Sequence, residues 1–320
     1  METIKNLIII WGDKSGRFPF SNSVFIADKV KTVIDTGAGQ DNLEQLSKEV
    51  GLVINSHYHL DHIRYNHLFL KAEIMVHQRD IHALASLTGF AKKYGAKLVL
   101  GSDWVENWER GIASQRNIHP EQGFVYEPDF YKPIGKVDGI YSNEEQFSFG
   151  YTKMDVIHTP GHSEGHCCFF FPKQGLCFAT DYNIGSEFGP WYGGDDSDID
   201  ELLSSAQKLV DLDAKYYVNS HDQKFFTKDE FQKGLRGFLD WIDAREEKIT
   251  NLLDNGYSFI DLCNEGIFYK KKYLVLDWVL IWEVTMLIKH LQRLKKSELI
   301  PKNLATAMAA NMSPFPSPGR

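Results

Sequence analysis

The sequence is poor in cysteine, with four in 320 residues: Cys167, Cys168, Cys177 and Cys263. None forms a CxxC pair and three crowd into one short stretch, so the pattern fits buried free thiols in a reducing compartment, not a disulfide framework. The chain also lacks an excess of positive charge: 35 Lys and Arg face 43 Asp and Glu, for a net charge of −8. An acidic chain repels phosphate backbones, which argues against a nucleic-acid partner. There is no internal repeat at a solenoid period. The N-terminal apolar run, residues 7–11, is too short for a signal-peptide core, and no small-residue cleavage site follows it. The one long apolar run, residues 273–291, "YLVLDWVLIWEVTMLIKHL", carries Asp277, Glu283, Lys289 and His290. That content reads as a buried helix and not a membrane span. A cytoplasmic protein without a membrane partner is therefore expected. On the last helix Glu283 and His290 stand seven apart on an otherwise apolar face, which reads as a paired polar spot in a helix interface.

What is abundant is histidine in one place. Residues 55–62 read "NSHYHLDH" and follow the apolar stretch Gly51-Leu52-Val53-Ile54. His57 and His59 are two apart at a strand end, so both can point to one side. Asp61 and His62 lie past the bend and can face a neighbouring point. Neutral imidazole and carboxylate suit zinc, iron or manganese, so these four ligand-type residues read as two half-built metal sites. Completing them requires further ligands, and three candidates lie where other strands end: His162 in "HTPGHSEGH", Asp181 in "FATDY" and His221 in "VNSHD". An aspartate can bridge two metals through its two oxygens. With Asp181 as bridge, each metal reaches three or four protein ligands and keeps a position for water, the arrangement of a catalytic site.

The coarse pattern places strands over residues 24–27, 31–34, 52–55, 73–76, 152–158, 167–171, 175–180 and 216–220. Helices are expected over 42–50, 78–87, 198–212, 228–254 and 269–296, with helical starts near 65 and 258. Residues 88–135 are loose, aromatic and long for a connection, which suggests a cap or a partner surface. Residues 301–320, ending in "NMSPFPSPGR", read as a flexible tail.

In their order, "HYHLDH", "TPGHSEGH", "ATDY" and "NSHD" resemble the metal-binding motifs of the metallo-β-lactamase-fold superfamily, and "VIDTG" resembles the aspartate turn that precedes them. The resemblance spans about residues 20–225. It implies a four-layer αβ/βα sandwich over 1–227, with 88–135 inserted and a helical C-terminal extension over 228–300. It further implies one metal on His57, His59 and His162, a second on Asp61, His62 and His221, Asp181 bridging them, and Asp35 holding the ligand loops from behind. The chain departs from the pattern after Asp61-His62. Ile63-Arg64-Tyr65 stands where glycine is frequent, which sets it apart from glyoxalase II and the true β-lactamases.

A water held between two cations loses its proton near neutral pH and becomes a nucleophile, while the cations polarise a carbonyl. The expectation is thus a dinuclear metallohydrolase, with zinc ahead of iron or manganese, acting on a small ester, lactone or thioester. The alternatives are an iron-dependent redox enzyme of the superfamily, resembling a sulfur dioxygenase, and a nuclease, which the acidic charge disfavours. Asp61 and Tyr182 are the residues given a catalytic part. Tyr182 follows Asp181 and could donate to an oxyanion, although a core role is the more natural one for it. His166 reads either as a support behind the metals or as a plain strand-start residue. Trp104, Trp108, Trp191 and Tyr192 are candidate pocket walls. The apolar last helix and the 88–135 insert suggest a homodimer.

Overall fold

The computed structural model describes residues 1–95, 99, 101 and 132–311. Among them the apolar runs pair into two mixed sheets. The first runs in order through β1 (Glu2–Ile4), β2 (Leu7–Ile10), β3 (Ser23–Ile26), β4 (Thr32–Ile34), β5 (Leu52–Asn55), β6 (Glu73–His77) and β7 (Gly139–Tyr141). Its first four strands are antiparallel, and β4 to β7 are parallel. The second sheet holds β8 (Gln146–Ser148), β9 (Lys153–His158), β10 (Cys167–Phe171), β11 (Leu176–Phe178), β12 (Tyr216–Val218) and β13 (Phe226–Thr227), each beside the next. Only β11 and β12 pair in parallel there.

Period-two alternation sends each strand's residues to two different cores. Leu7, Ile9, Val24, Ile26, Ile34 and Ile54 meet Met154, Val156, Phe169, Phe171, Phe178 and Val218 between the sheets. The residues between them, such as Ile10, Phe25, Val33 and Val53, turn outward to Leu43, Val50 and Phe69. On the second sheet Cys168, Cys177 and Tyr217 turn outward to helices. The helices are α1 (Gln40–Leu43), α2 (Leu60–Ile63), α3 (Ile81–Ala85), α4 (Leu87–Lys93), α5 (Ile199–Asp211), α6 (Lys228–Asp254), α7 (Phe259–Cys263), α8 (Asp277–Arg293) and α9 (Leu304–Asn311). The result is the expected sandwich, helix on sheet on sheet on helix, with α6 to α9 as the C-terminal extension. All four cysteines are buried and free. No described helix is long and apolar enough to cross a membrane.

Several expected helices are shorter than the sequence pattern suggests. The 42–50 helix is the four-residue α1 followed by a 3-10 turn at Leu46–Lys48. The 78–87 helix breaks at Ser86, which is extended (φ −157°, ψ 151°) and caps α4 by accepting the Gly89 N–H. The 269–296 helix begins only at Asp277, after a 3-10 turn at Lys271–Tyr273. Part of the expected flexible tail is helical: α9 buries Leu304 and Met308 against the C-terminal helices, while 312–320 lie outside the described residues. Trp104 and Trp108 also lie outside them.

Helix α8 is covered from within its own chain. Residues 279–288 of α8 are all buried, against α6, α7 and the loop around Trp191. The apolar run therefore needs no second copy to shield it, and that ground for a dimer falls away. Glu283 and His290 do not pair with each other. The Glu283 carboxylate accepts the backbone N–H groups of Ile267, Phe268 and Tyr269, while His290 meets Tyr192 and Glu246.

Candidate metal centre

The seven ligand-type residues come from loops that leave the C-terminal ends of β5, β9, β11 and β12, with Asp35 arriving from β4. Two glycines let these loops close up. A Cβ on Gly37 would lie 1.8 Å from the Asp61 carbonyl oxygen, so only glycine lets the β4 loop pass α2. Gly161, at φ 120°, sits so tightly on α5 that a Cβ would come within 2.2 Å of the Leu202 nitrogen. That contact fixes the turn carrying His162. Asp35 and Thr180 adopt left-handed conformations (φ 55° and 40°) beside the site, which non-glycine residues hold only when their surroundings enforce it.

The side chains form two adjoining groups, His57, His59, His162 and Asp181 in one, Asp61, His62 and His221 in the other. In the first, His59 Nδ1 lies 2.9 Å from both His57 Nε2 and His162 Nε2. In the second, Asp61 Oδ2 lies 3.4 Å from His221 Nε2 and 3.7 Å from His62 Nε2. Asp181 stands between them. Its Oδ2 is 3.0 Å from His162 Nε2 and 3.9 Å from His57 Nε2, and its Oδ1 is 3.0 Å from His62 Nε2 and 3.6 Å from His221 Nε2. Each oxygen thus faces a different group.

The outward nitrogens fix the tautomers. His62 Nδ1 donates to Asp35 Oδ2 at 2.8 Å, His162 Nδ1 to the Trp191 carbonyl at 3.0 Å, and His221 Nδ1 to the Gly16 carbonyl at 2.5 Å. His57 Nδ1 lies 3.0 Å from Ser56 Oγ, which itself donates to Asp35 Oδ2 at 2.7 Å. With these protons turned outward, Nε2 of His57, His62, His162 and His221 faces inward. Outer partners that fix the tautomer in this way are the usual companions of metal-ligating histidines.

Inside, like faces like. Two imidazole lone pairs at 2.9 Å repel unless a proton or a cation lies between them. Burial, followed by the neighbouring histidines, holds His57 and His59 well below the usual histidine range, so both favour the neutral, ligating form. Burial works the same way on His62, but Asp181, Asp61 and Asp35 outweigh it and raise that ring well above the range. Burial would raise Asp181, yet His62 and His162 hold it well below the carboxylate range. His62 Nε2 and Asp181 Oδ1, both buried, face each other as an ion pair at 3.0 Å, while His59 Nε2 is buried with no hydrogen bond. Three imidazoles and a carboxylate beside two imidazoles and a carboxylate, with orphaned lone pairs converging, suit a pair of transition-metal cations.

Of the other predicted residues, Tyr182 is placed in the core. Its hydroxyl donates to the Leu202 carbonyl at 3.2 Å, which commits the proton an oxyanion would need. Tyr192 is not a pocket wall either: it is fully buried, between Arg245 and His290. Trp191 does fit a wall. It is partly exposed, its ring centroid 4.7 Å from that of His59 and 5.2 Å from that of His162. Trp282 of α8 packs edgewise on it at 5.3 Å, and Phe18 and Trp278 extend the aromatic surface. His166 lies behind the metal residues. Its Nδ1 donates to the Thr159 carbonyl, and its Nε2 sits 2.8 Å from Thr180 Oγ1 and 3.4 Å from the Asp181 nitrogen. Burial pushes it down to about 3, so it is a neutral brace for the turn that carries Asp181. Sequence reasoning missed the Ser56, Gly16 and Trp191 contacts. Ser56 adjoins His57 and was open to suspicion, but nothing in the sequence marks Gly16 or a backbone carbonyl at 191.

This fold and this ligand array define a class, and comparison with known proteins agrees. The family profile described as the metallo-beta-lactamase superfamily matches residues 16–221, and the chain belongs to that superfamily. Among curated relatives, the hydroxyacylglutathione hydrolase of Francisella tularensis subsp. novicida (strain U112) is 33% identical over 160 residues, 45% of this chain and 60% of that protein. That of Rhizobium meliloti (strain 1021) is 32% identical over 88 residues, 28% of this chain and 34% of that protein. The matched region thus spans 60% or less of these relatives' lengths. The departure at Ile63-Arg64-Tyr65 does not remove the chain from the neighbourhood of these enzymes, which are distant homologues. Among solved structures, a metallo-beta-lactamase family protein from Thermus thermophilus superposes with a TM-score of 0.63 at 18% identity, covering 92% of this chain and 94% of that one. The likeness is one of fold.

Proposed function

We propose that this chain is a dinuclear metallohydrolase acting on a small, largely apolar acyl substrate, with a thioester the foremost candidate ahead of esters and lactones. The observation that carries the reading is Asp181, whose two carboxylate oxygens face two separate groups of ligand-type side chains. His57, His59 and His162 would hold one cation, taken as zinc, and Asp61, His62 and His221 the other, with Asp181 shared. When bound, two such cations supply Lewis-acid polarisation of a carbonyl and a water acidic enough to act as nucleophile near neutral pH. The chain's own residues do the rest. Asp35, Ser56, Gly16 and Trp191 hold the imidazoles in their ligating tautomers, and His166 steadies the turn of Asp181. Trp191 offers an apolar edge beside His59 and His162, with Trp282 behind it, against which an acyl group can lie.

Support for the thioester comes from the relatives, whose name denotes hydrolysis of an acyl group carried by glutathione. A hydrolysis screen of acyl-glutathione and other thioesters, lactones and aryl esters, run beside elemental analysis, tests the reading. Thioester turnover that Asp181→Ala abolishes is the expected result. A fully metallated protein that is inert across the panel, or one purified with iron that consumes oxygen, would replace hydrolysis with redox chemistry.

A further inference from the structure

His162 is held by a backbone carbonyl that the C-terminal helices control. Its Nδ1 donates to the oxygen of Trp191, and residues on both sides of Trp191 are pinned by one guanidinium. Arg245 of α6, only 3% exposed, donates from Nη1 to the Pro190 carbonyl at 2.8 Å and to the Tyr192 hydroxyl oxygen at 2.7 Å, and from Nη2 to the Phe188 carbonyl. Its charge lies over the rings of Tyr192 and Phe268 at 5.3 and 5.2 Å. Arginine has no acceptor, so Tyr192 must accept from it and pass its own proton on. The recipient is His290 Nε2 of α8, at 2.6 Å. His290 Nδ1 then donates to Glu246 Oε1 at 3.3 Å, and the same oxygen takes Arg293 Nη1 at 2.6 Å. Burial pushes His290 down to about 3, so the ring stays neutral and the chain of donors keeps one direction.

A rigid fork that grips the Pro190 carbonyl and the Tyr192 hydroxyl, one on either side of Trp191, leaves the peptide between them little freedom. The Trp191 carbonyl cannot turn from His162 without breaking contacts to Arg245, and Arg245 cannot move without breaking the link to α8. We propose that Arg245, backed by Tyr192 and His290, is a positioning residue through which α6 and α8 set the His162 ring and the metal affinity of the His57, His59 and His162 group. The inference rests on the dinuclear reading above.

The test is stepwise zinc affinity, read by competition with a chromophoric chelator. His162→Ala and His221→Ala assign the two binding steps to their groups. Arg245→Met, which keeps most of the volume, should weaken the step that His162→Ala removes by about tenfold and leave the other within about twofold, as outer-partner losses do. Leu235→Ala, a core truncation elsewhere on α6, should lower the melting temperature and move neither step. An Arg245→Met protein with both steps unchanged, or with both lowered equally, would overturn the proposal, as would the same selective shift in Leu235→Ala. If Arg245→Met does not fold, Tyr192→Phe removes a single hydroxyl and should give a smaller drop confined to the same step; no drop would sink the idea. A wild-type protein with only one binding step would instead refute the dinuclear reading, independently of Arg245.

Discussion

At the sandwich edge, imidazole nitrogens face imidazole nitrogens; in the C-terminal helices, acceptors face donors. Both regions bury histidine and carboxylate. In the second, Arg245, Tyr192, His290 and Glu246 form a directed chain with only Arg245 Nε left over, and Glu283 is met by three backbone N–H groups. Apart from that one N–H, the cluster is satisfied by protein atoms alone. The first leaves His59 Nε2 buried without a hydrogen bond, sets His62 Nε2 against Asp181 Oδ1 at 3.0 Å, and turns its remaining lone pairs toward one another. Buried polar groups without partners are costly, so a cluster that persists in this form is completed by something other than protein. The contrast separates a binding site from structural polarity without reference to any relative.

The contrast can be broken most sharply at Asp181. Asp181→Ala should cut activity by more than the roughly 100-fold seen for outer partners, since it removes a group facing both halves of the site. Metal content measured on the same sample should fall as well. Next in size is Asp35→Asn. The amide can still accept from one neighbour but no longer offers two anionic oxygens to His62 and Ser56, so affinity of the His62 group should fall by about 10- to 100-fold in chelator competition.

In the C-terminal cluster the readout is stability and its pH dependence. Burial outweighs three N–H donors and pushes Glu283 up to about 7 from 4.5. A folded-state value above the unfolded one means the folded chain holds the extra proton between the two. The associated stability is therefore present below about 4.5 and is lost as pH rises toward 7. Glu283→Gln should flatten that part of the profile, visible in urea midpoints at pH 5.5 and 8 and amounting to a few kcal/mol at most, about 1.4 per pH unit. Metal content should not change. The smallest effect belongs to the start of α6, where Thr227 and Glu230 form a reciprocal cap. Thr227→Ala should cost about 1 kcal/mol in thermal unfolding, with activity untouched.

The two regions also differ in how far the sequence discloses them. The metal residues are legible because a strand end places His57 and His59 together in a six-residue run, and because His162, Asp181 and His221 each close an apolar strand. The sandwich is legible from period-two runs such as "HCCFFF", which alternates between two cores as written. The C-terminal cluster was legible only as apolarity. Glu283 and His290 looked like partners at helical spacing, but their contacts are a loop's N–H groups and a tyrosine 98 positions away. Tyr182 shows the same limit. Its place beside Asp181 suggested chemistry, while the chain direction turns its ring into the α5 core. Helix ends failed for a local reason, since the extended Ser86 stops the helix expected over 78–87 and caps a second one, α4, in a stretch the composition reads as loose.

The central claim is that two metal ions share Asp181, and native mass spectrometry of the zinc-loaded protein tests it most directly. The account predicts two zinc ions on each wild-type chain and one on His221→Ala. A wild-type chain that takes up a single ion under saturating zinc would contradict it.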